Sequence, residues 1–281
     1  LSRLHSKSNG NGYVYAILTC SYRLSLTIWA IECSRPLPAL PRCYTGDMDE
    51  KKNMRADVLG RRDALDAQTR AHKSATICRA LERLVEEACA PDTGTGRTCP
   101  PAGDSAGANQ QRPAHEVRTY RNFGRPPCIA VYAAMRSEVD LQAFVHAAFA
   151  RGWDVCFPCM VRAGADDREP SRMAFYRVPR ERLDQARTAF LDSPLRCLPC
   201  AALSDGGYEE AEPADLDAVA VPLVAFYDAG NRLGYGGGNY DRLLPLLRDD
   251  ALVVGVAFDE QRVPAVPCEP HDRPLARIVH A

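Results

Sequence analysis

Net charge is the first thing this chain is short of: 35 Lys and Arg stand against 36 Asp and Glu, leaving −1 at pH 7. A chain so balanced has no global attraction for nucleic acid or an anionic membrane, and any affinity for anions must be local. A long apolar run is missing as well. Tyr13 to Ile31 comes nearest, but Arg23 and several Ser, Thr and Tyr interrupt it, which argues against a membrane span. There is no internal repeat, so a solenoid or propeller is excluded. Both common phosphate fingerprints are absent: no glycine loop ends in Gly-Lys-Ser/Thr, and none has the third glycine of a dinucleotide motif.

Cysteine, by contrast, is plentiful. The 12 cysteines are spread from Cys20 to Cys268 over a chain of 281 residues, long enough to bury its own core, so a reducing cytosol fits better than a disulfide scaffold. Cys156/Cys159 and Cys197/Cys200 have Cys-x-x-Cys spacing, compatible with a four-thiolate zinc site. Against that, Cys156-Phe-Pro-Cys159 ends an apolar strand pattern, where free cysteine behaves as a small hydrophobe.

Residues 1–47 stand apart. No acidic residue precedes Glu32, while Arg3, Lys7 and Arg23 do, a weak leader-like pattern. Met48 opens a strongly helical stretch, so residues 1–47 are expected to be a non-native or disordered extension ahead of a domain at 48–281. Met54, Val58, Leu59 and Leu65, then Ile77, Leu81, Leu84, Val85 and Ala88, recur at helical spacing and predict two helices between Asp49 and Ala90. Residues 91–118, rich in Pro, Gly, Thr, Ser and Gln, read as a flexible insertion. Strands are predicted at 128–132, 153–157, 173–178, 218–226 and 252–258. Helices are predicted over the Leu141, Phe144, Val145, Ala148 stripe and over 181–191. Strands alternating with helices give a layered α/β sheet.

Three features carry chemistry. Gly230 to Arg242 joins glycines at 234, 236, 237 and 238 to Arg232, Arg242 and Asp241, between an apolar run and a short helical pattern. Glycines permit positive φ and expose N–H groups, and a following helix terminus favours an anion, so the loop suits phosphate; a flexible turn is the plain alternative. Lys51, Lys52 and Arg55 form a tight cationic cluster, which a solvated helix face explains equally well. Glu138 lies just beyond the first strand's carboxyl end, where open α/β sheets hold ligands, or else serves as a helix N-terminal carboxylate.

Together these pieces resemble the 5-formyltetrahydrofolate cyclo-ligase (methenyltetrahydrofolate synthetase) family from about Lys51 to Val279. Its glycine signature, roughly Gly-x-Arg-Leu-Gly-x-Gly-x-Gly-Tyr-Tyr-Asp, matches Gly230 to Asp241. Lys51 to Arg55 is similar to its Lys-x-x-x-Arg, and Tyr132 to Glu138 to its Tyr-x-x-x-x-x-Glu. Arg172-Met173, Glu212-Pro213, Val221-Pro222 and His271-Asp272 fall in the expected order.

The resemblance implies a three-layer α/β/α fold with a mainly parallel sheet, like ribose-5-phosphate isomerase and the CoA transferases. It also implies ATP-dependent closure of 5-formyltetrahydrofolate to 5,10-methenyltetrahydrofolate, with Mg2+. ATP would meet Lys51, Lys52, Asn53, Met54 and Arg55, then Arg232, Leu233, Gly234, Tyr235, Gly236, Gly237, Gly238, Asn239 and Tyr240. Folate would meet Ala133, Glu138, Met173 and the loop from Tyr235 to Asn239. Arg232 and Asp241 would be catalytic, with Asp241 and Asp272 near the metal. A cytoplasmic monomer acting on small molecules, without nucleic acid or membrane, is implied.

The departures are Asn239 for the first tyrosine of Tyr-Tyr-Asp, Leu223 for glycine, Tyr227 for aspartate and Ala276 for an acidic residue. Asn239 removes an aromatic face and a phenol from the folate side of the loop. It motivates a second reading, a non-catalytic nucleotide- or folate-binding regulator on the same fold. A phosphosugar isomerase or acyl-CoA transferase on a similar fold, turning over without ATP, is a third. Elemental analysis of purified protein is expected to find no stoichiometric zinc; one equivalent would restore the four-thiolate reading.

Overall fold

The computed structural model describes residues 4–8, 14–18, 48–89, 125–164, 168, 170–184, 188–269 and 272–281. The chain divides into two compact units, Leu1–Leu40 and Pro41–Ala281. In the first, β1 (Leu4–Ser8) and β2 (Val14–Leu18) pair antiparallel, with Leu4 opposite Leu18. Sequence patterning assigns no element there. The 91–118 insertion lies outside the described residues.

The second unit begins its regular structure with α1 (Met48–Asp63) and α2 (Ala67–Cys89). Asp49 and Glu50 in the first turn of α1, and Arg61 and Arg62 in its last, suit the helix dipole. Asp66 separates the helices and caps α2: its carboxylate accepts the Thr69 N–H at 2.9 Å and the Thr69 hydroxyl at 2.7 Å. β3 (Cys128–Ala130), α3 (Gln142–Ala150), β4 (Asp154–Arg162) and β5 (Arg172–Arg177) follow. Next come α4 (Arg180–Asp184), α5 (Ala189–Asp192), β6 (Cys197–Pro199), α6 (Cys200–Asp205) and β7 (Glu209–Ala211). The chain ends with β8 (Ala218–Pro222), β9 (Ala225–Phe226), β10 (Arg232–Leu233), α7 (Asn239–Leu243), β11 (Leu252–Ala257) and β12 (Arg277–His280).

One sheet runs β12-β11-β8-β3-β4-β5-β7. Its first five strands are parallel, β5 pairs antiparallel with β4 on one side and β7 on the other, and β6 joins β4 in parallel. On one face Ile77, Leu81 and Val85 of α2, with Phe144, Val145 and Ala148 of α3, pack on Ile129, Val155, Phe157 and Val254. On the other, Leu216, Leu243 and Leu275 cover Ala130, Cys156 and Val219. This is the expected α/β/α layering, and each fully buried aliphatic side chain contributes about 1.5–3 kcal/mol. A third cluster seats α1: Val58 is buried against Ala225, Leu233, Val263 and Val266, beneath the β9–β10 hairpin.

Two prolines shape the sheet. β4 pairs with β3 through residues 154–156 and with β6 through residues 160–162, so Pro158 falls between the two ladders, where its missing N–H costs nothing. There the sheet opens. Pro222 ends the β8 ladder, and the predicted 218–226 strand breaks into β8 and β9. The glycine loop therefore follows the short strand β10, which pairs antiparallel with β9, instead of a sheet strand. The predicted 181–191 helix is two short ones, and Cys156 to Cys159 lies within β4 instead of at its end.

Gly230 closes the hairpin turn with φ +88°, donating to the Tyr227 carbonyl and accepting the Leu275 N–H, both at 2.9 Å. An added Cβ would stand 2.2 Å from the Leu275 carbonyl oxygen. Left-handed strain alone costs about 1–2 kcal/mol. Gly230→Ala is expected to lower unfolding stability in urea by at least that much; an unchanged midpoint would contradict this account of the turn.

Candidate functional site

The site begins with one stripe of α1. Lys51, Arg55, Val58 and Arg62 are spaced by four, three and four residues and so share a helix face. With Val58 buried under the hairpin, the cations on either side of it are drawn to what adjoins the hairpin, the glycine loop. Arg55 Nε donates to the Gly234 carbonyl at 2.8 Å, and Lys51 pairs with Glu269 at 2.5 Å. Lys52 and Asn53 are exposed, and Met54 packs with the Val58 cluster. Asn53 and Met54 also line a shallow groove of about 850 Å³ with Asp49, Glu50, Asp57 and Arg61. Three carboxylates against one arginine make that groove unsuited to phosphate.

The loop itself is built for close approach. Gly236 and Gly238 take φ values of +100° and +63°, and Arg55 lies alongside Gly236. Among the described residues, no N–H of residues 235–238 donates to a backbone carbonyl. Consecutive amides in such conformations form an anion-accepting concavity. Arg242 Nη2 braces its far end, donating to the Gly237 carbonyl at 2.8 Å and Asn239 Oδ1 at 2.6 Å. Arg232, its side chain 7% exposed, donates to the Asp241 carboxylate and to the Arg273 carbonyl. Asp272 Oδ2 accepts the Glu269 N–H at 2.8 Å, while His271 lies outside the described residues. Arg232 thus ties Asp241 to the segment that holds Asp272. Among the described residues, no group of three His, Cys, Asp or Glu is placed to hold a metal, and the eight described cysteines are free.

Glu138 is buried where the chain leaves β3. One carboxylate oxygen accepts the Met135 N–H and the other the Tyr235 hydroxyl, both at 2.7 Å. Burial pushes this carboxyl above its ordinary value, opposed by those two hydrogen bonds and by the Arg62 charge. The Tyr235 phenol is pushed up to about 12, chiefly by burial and then by Glu138, so it stays a hydrogen donor. The Glu138 site therefore touches the glycine loop directly.

Tyr240, the other loop tyrosine, has its phenol raised by burial. Ala133 packs against the main core between β3 and Glu138. Met173 on β5 lies opposite Met160 on β4, and Asn239 Nδ2 lies 3.6 Å from the Met160 sulfur. Sequence reading missed Met160 and Arg62. Arg62 had a signal, its place seven residues after Arg55 on one helix face; Met160 had none short of the β4–β5 register.

These features describe a layered α/β protein in which a glycine loop, a buried carboxylate and the cationic stripe of α1 are joined by hydrogen bonds. The chain belongs to the 5-formyltetrahydrofolate cyclo-ligase family, whose sequence model matches residues 103–281. It is 42% identical over 57 residues to the 5-formyltetrahydrofolate cyclo-ligase of Mycoplasma genitalium, and 46% over 66 residues to that of Haemophilus influenzae. These segments cover 20% and 23% of this chain but only 34% and 35% of those relatives' lengths. With the Escherichia coli K12 enzyme of that name it shares 29% identity over 171 residues, 60% of this chain and 86% of that one. The 5,10-methenyltetrahydrofolate synthetase structure from Mycoplasma pneumoniae shares the fold, with a TM-score of 0.52 and 19% identity over 82% of this chain and 97% of that one. That of Aquifex aeolicus does so with a TM-score of 0.50 and 24% identity, covering 82% and 89%.

Because burial raises the Glu138 carboxyl, its ionised form at neutral pH costs stability. That cost fades as pH falls through the raised pKa toward the ordinary 4.5 and the native carboxyl takes a proton. Relative to Glu138→Gln, which has no proton to take up there, the parent is expected to gain melting temperature as pH falls from 7 toward 4.5. A difference between the two that does not change with pH would contradict this.

Proposed function

We propose that this chain closes 5-formyltetrahydrofolate to 5,10-methenyltetrahydrofolate at the expense of ATP, releasing ADP and phosphate. The reading rests above all on the contact between Tyr235 of the glycine loop and the buried Glu138, which joins a phosphate-type cradle to a buried carboxylate. Family membership supports the same reaction.

In this reaction the γ-phosphoryl group passes from ATP to the formyl oxygen. N10 of the folate then attacks the activated carbon and loses its proton, and phosphate departs with that oxygen. Such chemistry needs charge neutralisation and alignment of two substrates more than an acid–base pair. Lys51 and Arg55 would hold the nucleotide phosphates with the amides of Gly234 to Tyr240, leaving Lys52, Asn53 and Met54 at the margin. Arg232 would face the transferring group, and its pairing with Asp241 holds it in place until then. Glu138 would accept hydrogen bonds from the pterin ring, with Ala133, Met173 and Asn239 along the pocket.

The donor set fits a magnesium ion that arrives with the nucleotide, because Mg2+ takes one or two carboxylates plus phosphates and water. Asp241 and Asp272 would hold it. When bound it supplies charge neutralisation at the phosphates. Free thiols among the described cysteines support a reducing, cytoplasmic setting. No helix among the described residues is long and apolar enough to cross a membrane. We take the working form to be a monomer acting on small molecules.

Asn239 keeps one other reading in view, a regulator that binds without turnover. The absorbance of methenyltetrahydrofolate separates the two: it should rise with ATP, Mg2+ and 5-formyltetrahydrofolate together, and not without ATP. Binding of both ligands with no product would favour the regulator, and product without ATP would sink both. Arg232→Ala should lower kcat by about 10²–10³, or roughly 3–4 kcal/mol, as for loss of a preorganised donor to developing charge. Steady-state kinetics equal to the parent's would remove Arg232 from the chemistry.

A further inference from the structure

Between the end of α1 and the pocket runs an unbroken chain of polar groups. The Ser137 hydroxyl donates to Asp63 and accepts Arg62 Nε at 3.0 Å. Arg62 Nη2 donates to the Tyr235 hydroxyl at 3.1 Å, which donates in turn to Glu138 at 2.7 Å. Arg62 sets the direction of every link. A guanidinium can only donate, so each hydroxyl that accepts from it must send its single proton onward, Ser137 to Asp63 and Tyr235 to Glu138.

Without Arg62 the Tyr235 hydroxyl would keep only its bond to Glu138, and the phenol that links the glycine loop to the buried carboxylate would lose its second anchor. Arg62 is 1% exposed and sits behind both groups, so no substrate needs to touch it.

We infer that Arg62 is a positioning residue that, through Tyr235, couples occupancy of the glycine loop to occupancy of the Glu138 pocket. The inference rests on the functional reading above. A ligand that fixes the loop fixes Tyr235, and a fixed Tyr235 preorganises Glu138 for the second ligand. By linkage the effect is the same in both directions.

The test is calorimetric, on the full chain: affinity for 5-formyltetrahydrofolate with and without the β,γ-imido analogue of ATP and magnesium, and the reverse titration. The parent is expected to bind each ligand about fivefold or more tightly in the presence of the other. Arg62→Met should bring both ratios to within about twofold of one, in the range below measurable coupling. Tyr235→Phe, which removes one hydroxyl from a partly exposed loop residue, should do the same and decides the matter if Arg62→Met fails to fold. A purely structural role would lower melting temperature and leave the ratios standing. Coupling retained in Tyr235→Phe, or absent from the parent, overturns the inference. Failure of the parent to bind either ligand overturns the functional reading beneath it.

Discussion

Arg62 carries a positive charge into a place water hardly reaches, and the arrangement of the site follows from the need to satisfy it. An uncompensated buried ion costs several kcal/mol. Here two hydroxyls accept from the guanidinium, and the carboxylates of Asp63 and Glu138 stand behind them. Meeting those partners fixes the rotation of α1 about its axis. Once Arg62 and Val58 face inward, Arg55 on the same stripe reaches the Gly234 carbonyl and Lys51 pairs with Glu269. A helix outside the sheet is thereby made part of the site.

The segments that meet this helix are placed by the sheet's own defects. β3 leaves β4 after Cys156, β6 joins only at Met160, and Pro158 marks the gap. Through that departure the chain carries Tyr132, Ala133 and Glu138 to the carboxyl edge, where parallel sheets bind ligands. Pro222 acts similarly on β8, turning the chain into the hairpin that presents the glycine loop. Asn239, close to Met160, brings the loop's end back to β4 beside Met173. The Asn239 amide is itself held there by Arg242.

Much of this could be read from the residues. Long periodic segments such as Ile77, Leu81 and Val85 gave α2, and apolar runs gave the central strands, because burial on one or both faces imposes the pattern directly. The glycine loop stood out because few backbones need that many glycines, whereas Lys51, Arg55 and Glu138 each had a plain helix-surface or helix-terminal reading and joined it only through the resemblance of their motifs. Short elements carry no such pattern. β6, β7 and β12 are three or four residues each, held by their neighbours, and nothing local announces them. The Tyr235–Glu138 contact spans 97 positions and depends on where the fold brings two segments, which no spacing encodes. The paired cysteines point the other way. Their spacing suggested a metal, yet Cys156 lies buried in β4 with its sulfur 3.2 Å from that of Cys128, a partner outside either Cys-x-x-Cys pair.

The central claim is that phosphate is transferred to the formyl oxygen across the bridge between the loop and Glu138. Turnover of 5-formyltetrahydrofolate labelled with ¹⁸O in the formyl group tests it most directly, with the released phosphate analysed by mass spectrometry. The account predicts one labelled oxygen in each phosphate released. Unlabelled phosphate formed alongside methenyltetrahydrofolate would contradict it, because the oxygen would then have left without ever being phosphorylated.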